Sequence, residues 1–297
     1  MHLMETFFKE KNITYKKNES LVNYTTLQIG GNASFIVFPE DEQILKLLEV
    51  VKNEGYPFYI IGGGSNLLIS DKGFKGVIIN TKKINKLYLD GFTLNVSAGA
   101  MLGRVVNFLA KRGLSGMEGL IGIPGTIGGA IKGNAGSFGY EIKDCFIECE
   151  IINAQLKTSI LKKNQINFQY RSSGLPDDVI IGRAKFYLKE SNGSIFNKMI
   201  DFLKKKQLTQ PLRAPSAGCV FKNPPGFSAG ELIDRAGLKG FRVGNIMVSP
   251  IHANYFINLG NGKASDFLKL MEVVKDRVFK CFGIKLQPEI KILGDKP

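Results

Sequence analysis

Five short stretches carry the residue types that bind anions and move protons. Two are glycine clusters: Gly62-Gly63-Gly64-Ser65-Asn66, and the run Gly119 to Gly139, with glycine at 119, 122, 125, 128, 129, 133, 136 and 139. Glycine lets main-chain N–H groups approach a ligand closely, and consecutive N–H groups form concave nests that hold phosphates. Each glycine also costs chain entropy on folding, and the longer run reads equally well as a tightly turning buried connection. The other three stretches are Tyr170-Arg171-Ser172-Ser173, the segment Ser216-Ala217-Gly218-Cys219-Val220-Phe221-Lys222-Asn223-Pro224, and Gln287-Pro288-Glu289. Each has a structural reading beside the chemical one: Arg171 as a surface cation, Cys219 as a small core residue, Glu289 as a solvated charge.

The elements around these stretches follow from periodicity and breakers. Residues 1–24 read as a short helix and a polar linker. Ala33–Phe38 is a strand, and Glu40–Glu54 a helix with Ile44, Leu47, Leu48 and Val51 on one face, stopped by Gly55. The strand Phe58–Ile61 runs into the first glycine cluster. Leu67-Leu68-Ile69 and the strand Gly76–Asn80 come next, with no helix directly after the glycines. A Rossmann or Walker loop requires that helix, so any phosphate is held by loop amides alone. Leu94–Ser97 is a strand, succeeded by a helix through Arg112 with Leu102, Val105, Val106 and Leu109 inward and Gly113 at its end. Phe146–Asn153 and Val179–Leu188 are strands, and Ser194–Lys206 is an amphipathic helix. The boundary Gln210–Pro215 precedes helices at Ala229–Ala236 and Ser265–Cys281, the latter with Ser265 as N-cap, and a strand at Asn254–Asn258. No repeat or low-complexity tract occurs.

Composition narrows the classes. The chain has 297 residues, 44% hydrophobic and 22% charged, which suits a soluble protein of two domains. The net charge of +14 admits an anionic partner. The lysines are scattered, however, and read as compositional bias; no nucleic-acid motif or basic-aromatic stripe accompanies them. Four cysteines, at 145, 149, 219 and 281, form no C-x-x-C pair. This argues against a zinc ribbon, and a reduced cytoplasmic setting is expected. Only His2 and His252 are histidines, which excludes a multi-histidine metal site. The N-terminus lacks a signal-peptide core, and no apolar run is long enough to span a membrane.

Taken together, Gly62-Gly63-Gly64-Ser65-Asn66, Gly122-Ile123-Pro124-Gly125-Thr126-Ile127-Gly128-Gly129, Asn134-Ala135-Gly136, Tyr170-Arg171, Ser216-Ala217-Gly218 with Phe221-Lys222-Asn223-Pro224, and Gln287-Pro288-Glu289 resemble the UDP-N-acetylenolpyruvoylglucosamine reductase family, in its shorter form. The pieces stand in the family's order and cover most of the chain. The resemblance implies an α+β protein with a vanillyl-alcohol-oxidase-type FAD-binding domain over 1–190 (subdomains about 1–82 and 83–190). A separate α+β substrate domain over 191–285 and a tail over 286–297 returning to the active site complete it. It implies non-covalent FAD, since no histidine or cysteine lies near residues 62–66, and NADPH as reductant of an enolpyruvyl ether on a UDP-sugar. A cytoplasmic monomer in peptidoglycan precursor synthesis is expected, with no nucleic-acid partner and no metal.

The same resemblance assigns roles. FAD contacts are implied for Ile61, Gly62, Gly63, Gly64, Ser65, Asn66, Gly122, Ile123, Pro124, Thr126, Gly128, Gly129, Asn134, Ala135 and Gly136. Substrate contacts are implied for Tyr170, Arg213, Lys222, Asn223 and His252, the last with a structural role equally open. Arg171, Cys219 and Glu289 are the implied catalytic groups. Arg171 has the fork that matches a carboxylate. Glu289 assists an enol-like species when hydrogen-bonded or protonated. Cys219 supplies a proton to carbon, where many family members carry serine. An ordinary thiol, with a pKa of about 8.5, is protonated near neutrality and can donate. The competing readings are an alcohol- or sugar-oxidising flavoenzyme of the same fold, a basic nucleic-acid module, and a flavoprotein that has lost catalysis.

Overall fold

The computed structural model describes residues 2–294; residues 295–297 of the expected tail lie outside the described residues. Two compact units emerge. Among the described residues the first comprises 2–17, 35–63 and 76–204, the second 18–34, 64–75 and 205–294.

The first unit is built on two main sheets, each backed by helices. One sheet has strand order Thr14–Ser20, Asn32–Phe38, Phe74–Asn80, Phe58–Ile61, and its last two strands run parallel with Ile61 opposite Asn80. Helices α1 (His2–Glu10) and α2 (Ile44–Asn53) pack on it through Met4, Phe8, Leu47, Leu48 and Val51, which meet Phe35, Val37, Val77 and Ile79. The expected polar linker is in fact the strand Thr14–Ser20. Its sequence TYKKNES shows no clean apolar alternation because it lies at the sheet's outer edge, where lysines blunt unwanted pairing.

The second sheet is five-stranded, in the order Thr158–Lys162, Phe146–Ile152, Ile180–Tyr187, Thr93–Ser97, Leu87–Asp90, and every neighbouring pair is antiparallel. Helix α3 (Leu102–Ala110) buries the predicted face, Leu102, Val105, Val106 and Leu109. The glycine-rich run holds a helix that its composition conceals, α4 (Ile127–Lys132), and then the one-turn α5 (Ile142–Cys145). Helix α6 (Ile195–Thr209) continues past the expected end at Lys206.

The second unit is built on a four-stranded antiparallel sheet, Ser216–Cys219, Tyr255–Asn258, Ile246–Val248, Arg242–Val243, covered by α7 (Ala229–Arg235) and α8 (Ala264–Phe282). Phe256, Phe267, Leu270, Met271 and Val274 form the centre of its core, joined by Leu27, Ile29 and Leu68. Asn258 fastens the early segment: its Nδ2 donates to the carbonyls of Leu27 and Gln28, at 3.0 and 3.2 Å. Its Oδ1 accepts from Gly260 and Gly262.

Ser265 is not the cap of α8. The helix begins one residue earlier, and the carboxylate of Asp71 accepts from the amides of Ala264 (2.6 Å) and Ser265 (3.0 Å). A distant aspartate thus takes the first-turn donors and faces the positive end of the helix dipole. Asp71→Ala is expected to lower unfolding free energy by about 1 kcal/mol, with Asp71→Asn in between, in denaturant titrations.

Candidate active site

In the first unit, Gly62 and Gly63 lie against the longer glycine run. A Cβ on Gly63 would come 2.6 Å from the Cα of Gly125, and one on Gly62 would overlap Thr126 Oγ1. Backbone therefore lies against backbone, a separation no other residue permits. Thr126 is buried and N-caps α4 through the amide of Gly129. The strand end Ile61, the loop residues Gly62 and Gly63, and the stretch Gly122–Gly129 thus converge on one amide-rich surface. Closely apposed glycine backbone beside a helix start is a cradle suited to a dinucleotide's diphosphate. No Rossmann helix comes after Ile61; the chain continues into the strand Leu67–Ile69.

Arg171 stands in the same unit, in a tight turn closed by the Gln169–Ser172 pair (2.8 and 3.2 Å). Its φ is +56°, an uncommon state for a non-glycine residue. The turn is clamped from α4. Ser173 donates through its amide and its hydroxyl to the carbonyl of Lys132, at 3.0 and 3.1 Å. Asn134, fully buried with φ +40°, donates through Nδ2 to the carbonyl of Gln169 (3.0 Å) and to Glu141 Oε2 (2.9 Å), while its Oδ1 accepts from the amide of Lys143 (3.2 Å). The guanidinium of Arg171 donates to the carbonyl of Gly136 at 2.9 Å and lies 5.4 Å from the ring centroid of the exposed Tyr170. A cavity of about 340 Å3 opens here, lined by Gly136, Ser137, Tyr140, Glu141, Tyr170 and Arg171.

Tyr140, on the cavity wall, donates to a buried carboxylate that sequence reasoning missed, Glu118. Burial alone would raise its pKa. Hydrogen bonds from the Gly116 amide, the Ser115 hydroxyl (2.7 Å) and the Tyr140 hydroxyl (3.1 Å) outweigh that and hold it below the ordinary carboxylate range. Glu141 is also lowered, chiefly by its hydrogen bond with Lys143, with the charge of Arg171 adding to the effect. Cys145 and Cys149 are inert by contrast, their thiols pushed up to about 12 by burial.

Cys219 and Glu289 come together in the second unit. The strand Ser216–Cys219 slips register against Tyr255–Asn258: Ser216 faces Ile257 and Cys219 faces Tyr255, three steps against two. Gly218, at φ +75°, supplies the left-handed residue of this bulge and leaves Cys219 partly exposed. Bulges re-aim the next side chain, which is why glycine precedes the thiol. The segment Gln287–Glu289 pairs with the residues just beyond: Lys222 donates to the carbonyl of Gln287 (2.9 Å) and Glu289 to that of Val220 (2.8 Å). Asn66, the last residue of the first glycine cluster, donates through Nδ2 to the carbonyl of Glu289 (3.2 Å) and accepts from the amide of Lys291 (3.1 Å). Three stretches far apart in sequence meet here.

The remaining expected residues divide. Asn223 accepts from the first amide of α7, that of Ala229, beside the N-cap Ser228; Lys222 is partly buried, and Arg213 is exposed. His252 Nδ1 accepts from the amide of Asn254 (3.2 Å), and its ring lies edge-on to Tyr255 at 4.9 Å. Burial keeps its pKa below the ordinary imidazole value, so it is neutral at neutral pH and Nε2 carries the proton. Asn254, which sequence reasoning passed over, bonds both backbone groups of Phe221, at 2.9 and 2.7 Å. A buried asparagine leading into an apolar strand is the signal that was there to read.

These features define a class, an FAD-dependent oxidoreductase with an N-terminal flavin-binding part and a distinct C-terminal part. Residues 33–158 match the FAD binding domain, of the vanillyl-alcohol-oxidase type, and residues 210–293 match the UDP-N-acetylenolpyruvoylglucosamine reductase, C-terminal domain. The UDP-N-acetylenolpyruvoylglucosamine reductase of Caldicellulosiruptor bescii is 41% identical over 296 residues, 98% of this chain and 94% of its own length. That of Streptococcus pyogenes serotype M3 is 38% identical over 287 residues, 95% of this chain and 97% of its own. The crystal structure of the Thermus caldophilus enzyme superposes with a TM-score of 0.81 at 35% identity, covering 95% of this chain and 99% of that one. The chain belongs to the UDP-N-acetylenolpyruvoylglucosamine reductase family.

Proposed function

We propose that the protein reduces the enolpyruvyl ether of UDP-N-acetylglucosamine enolpyruvate to the lactyl ether of UDP-N-acetylmuramate, in the cytoplasm, for peptidoglycan synthesis. FAD, bound without a covalent link and reduced by NADPH, supplies the hydride. Residues 1–190 hold the flavin, 191–285 the UDP-sugar, and 286–297 bring Glu289 to the reaction. Ile61, Gly62, Gly63, Gly64, Ser65, Asn66, Gly122, Ile123, Pro124, Thr126, Gly128, Gly129, Ala135 and Gly136 form the flavin's cradle. Asn134 belongs with them through its main chain, because its side chain is committed to Gln169, Glu141 and Lys143.

Arg171 pairs with the substrate carboxylate, where negative charge gathers as the alkene is saturated. A cation fixed in advance does this without reorganising in the transition state. Cys219 Sγ holds the proton that ends on the carbon beside the carboxylate. Glu289 takes a hydrogen-bonding role toward the enol-like species. Tyr170 orients the carboxylate, Arg213, Lys222 and Asn223 take the nucleotide diphosphate or the uridine, and neutral His252 donates from Nε2. The observation that carries this reading is the meeting of Asn66, Cys219 and Glu289 on adjoining backbone in the second unit.

Stopped-flow absorbance tests it in two halves. NADPH is expected to bleach the flavin, and UDP-N-acetylglucosamine enolpyruvate to restore its colour far faster than a simple alcohol or sugar under anaerobic conditions. A reduced flavin indifferent to the enolpyruvate would overturn the substrate assignment.

A further inference from the structure

Asn80 ends the strand Phe74–Asn80 and is 1% exposed. Its Oδ1 accepts from the amide of Lys82 at 3.0 Å. That bond fixes which way the side-chain amide faces, because only the oxygen can accept. The Nδ2 group is left buried with no hydrogen-bond partner among the described residues. Such a group carries the full desolvation penalty of its donors, and buried donors in folded proteins almost always find an acceptor. An acceptor from outside the chain would satisfy it.

Its place in the fold says which. Asn80 is the register partner of Ile61 in a parallel strand pair, and Thr81 Oγ1 donates toward the carbonyl of Ile61 at 3.5 Å. Ile61 leads straight into Gly62 and Gly63, which lie against Thr126 and Gly125. The turn after Asn80 sits against Gly99, where any Cβ would overlap Thr81 O. Ligands of open sheets bind beyond the carboxyl ends of parallel strands, and both carboxyl ends of this pair meet here.

We propose that Asn80 is a cofactor ligand, with Nδ2 donating to an acceptor atom of the bound FAD. The inference rests on the FAD reading and adds a side-chain contact to a cradle otherwise made of backbone. Asn80→Asp keeps an oxygen for the Lys82 amide and replaces the donor by an acceptor. Wild-type and variant apoproteins are titrated with FAD by flavin fluorescence, and the apoproteins are melted in parallel. Asn80→Asp is expected to raise the FAD Kd about tenfold or more, in an apoprotein that still melts cooperatively at a temperature lowered by the buried carboxylate. A Kd within twofold of wild type would overturn the proposal and leave the amide to an ordered water. Should Asn80→Asp not fold, Asn80→Ala is read against the same two limits. A wild-type apoprotein that binds no FAD would instead sink the functional reading on which this one rests.

Discussion

Replacing Cys219 by alanine is expected to leave NADPH reduction of the flavin at the wild-type rate and to cut product formation by about two or more orders of magnitude. In the proposed reaction hydride delivery and protonation act on different carbons, and only the second step would use the thiol. Serine at the same position keeps a donor of similar size on the same bulge, so Cys219→Ser is expected to retain much of the turnover. The bulge matters as much as the sulfur. Gly218 at φ +75° sets where residue 219 emerges, and the bond from the Glu289 amide to the Val220 carbonyl ties that point to the backbone of Glu289. Pre-steady-state reduction and a separate product assay resolve the two half-reactions. Full steady-state turnover in Cys219→Ala would remove the thiol from the mechanism.

Arg171→Ala is expected to lower kcat by about 10^2–10^3, the range seen when one fixed donor to a developing anion is deleted. Arg171→Lys is expected to recover little. An ammonium cannot both keep the bond to the Gly136 carbonyl and present a fork to a carboxylate. The unusual φ of Arg171 costs backbone energy that the clamp of Asn134, Ser173 and the Gln169–Ser172 pair offsets, so the guanidinium is positioned before substrate arrives. FAD content and flavin reduction by NADPH are expected to be unchanged in both variants. If Arg171→Lys matched wild type in kcat, charge alone would suffice and the fork argument would fail.

Much of this was legible in the sequence because local signals agreed with the final fold. The apolar faces of α2, α3 and α8 are the ones that are buried, and Gly55 and Gly113 end their helices in left-handed conformations. The absence of a helix after Gly64 excluded the familiar phosphate loops on sequence grounds alone. What escaped depends on partners distant in the chain. Asp71 caps α8 across 193 residues, and Asn258 holds a segment 231 residues away, so no local window contains either signal. The edge strand Thr14–Ser20 has a pattern set by solvent rather than by a core, and α4 is hidden by glycines that serve close packing. Asn134 is assigned to the flavin by its motif, and the structure adds that its side chain bonds the Arg171 turn. Asn80 had no motif at all, and only its unmatched amide draws notice.

The central claim is that the glycine-lined cradle holds one FAD without a covalent bond, and flavin content tests it most directly. The purified chain, or the chain after incubation with FAD, is predicted to be yellow, with one FAD per polypeptide released intact into the supernatant when the protein is denatured. A colourless chain that takes up no FAD on incubation would contradict the account.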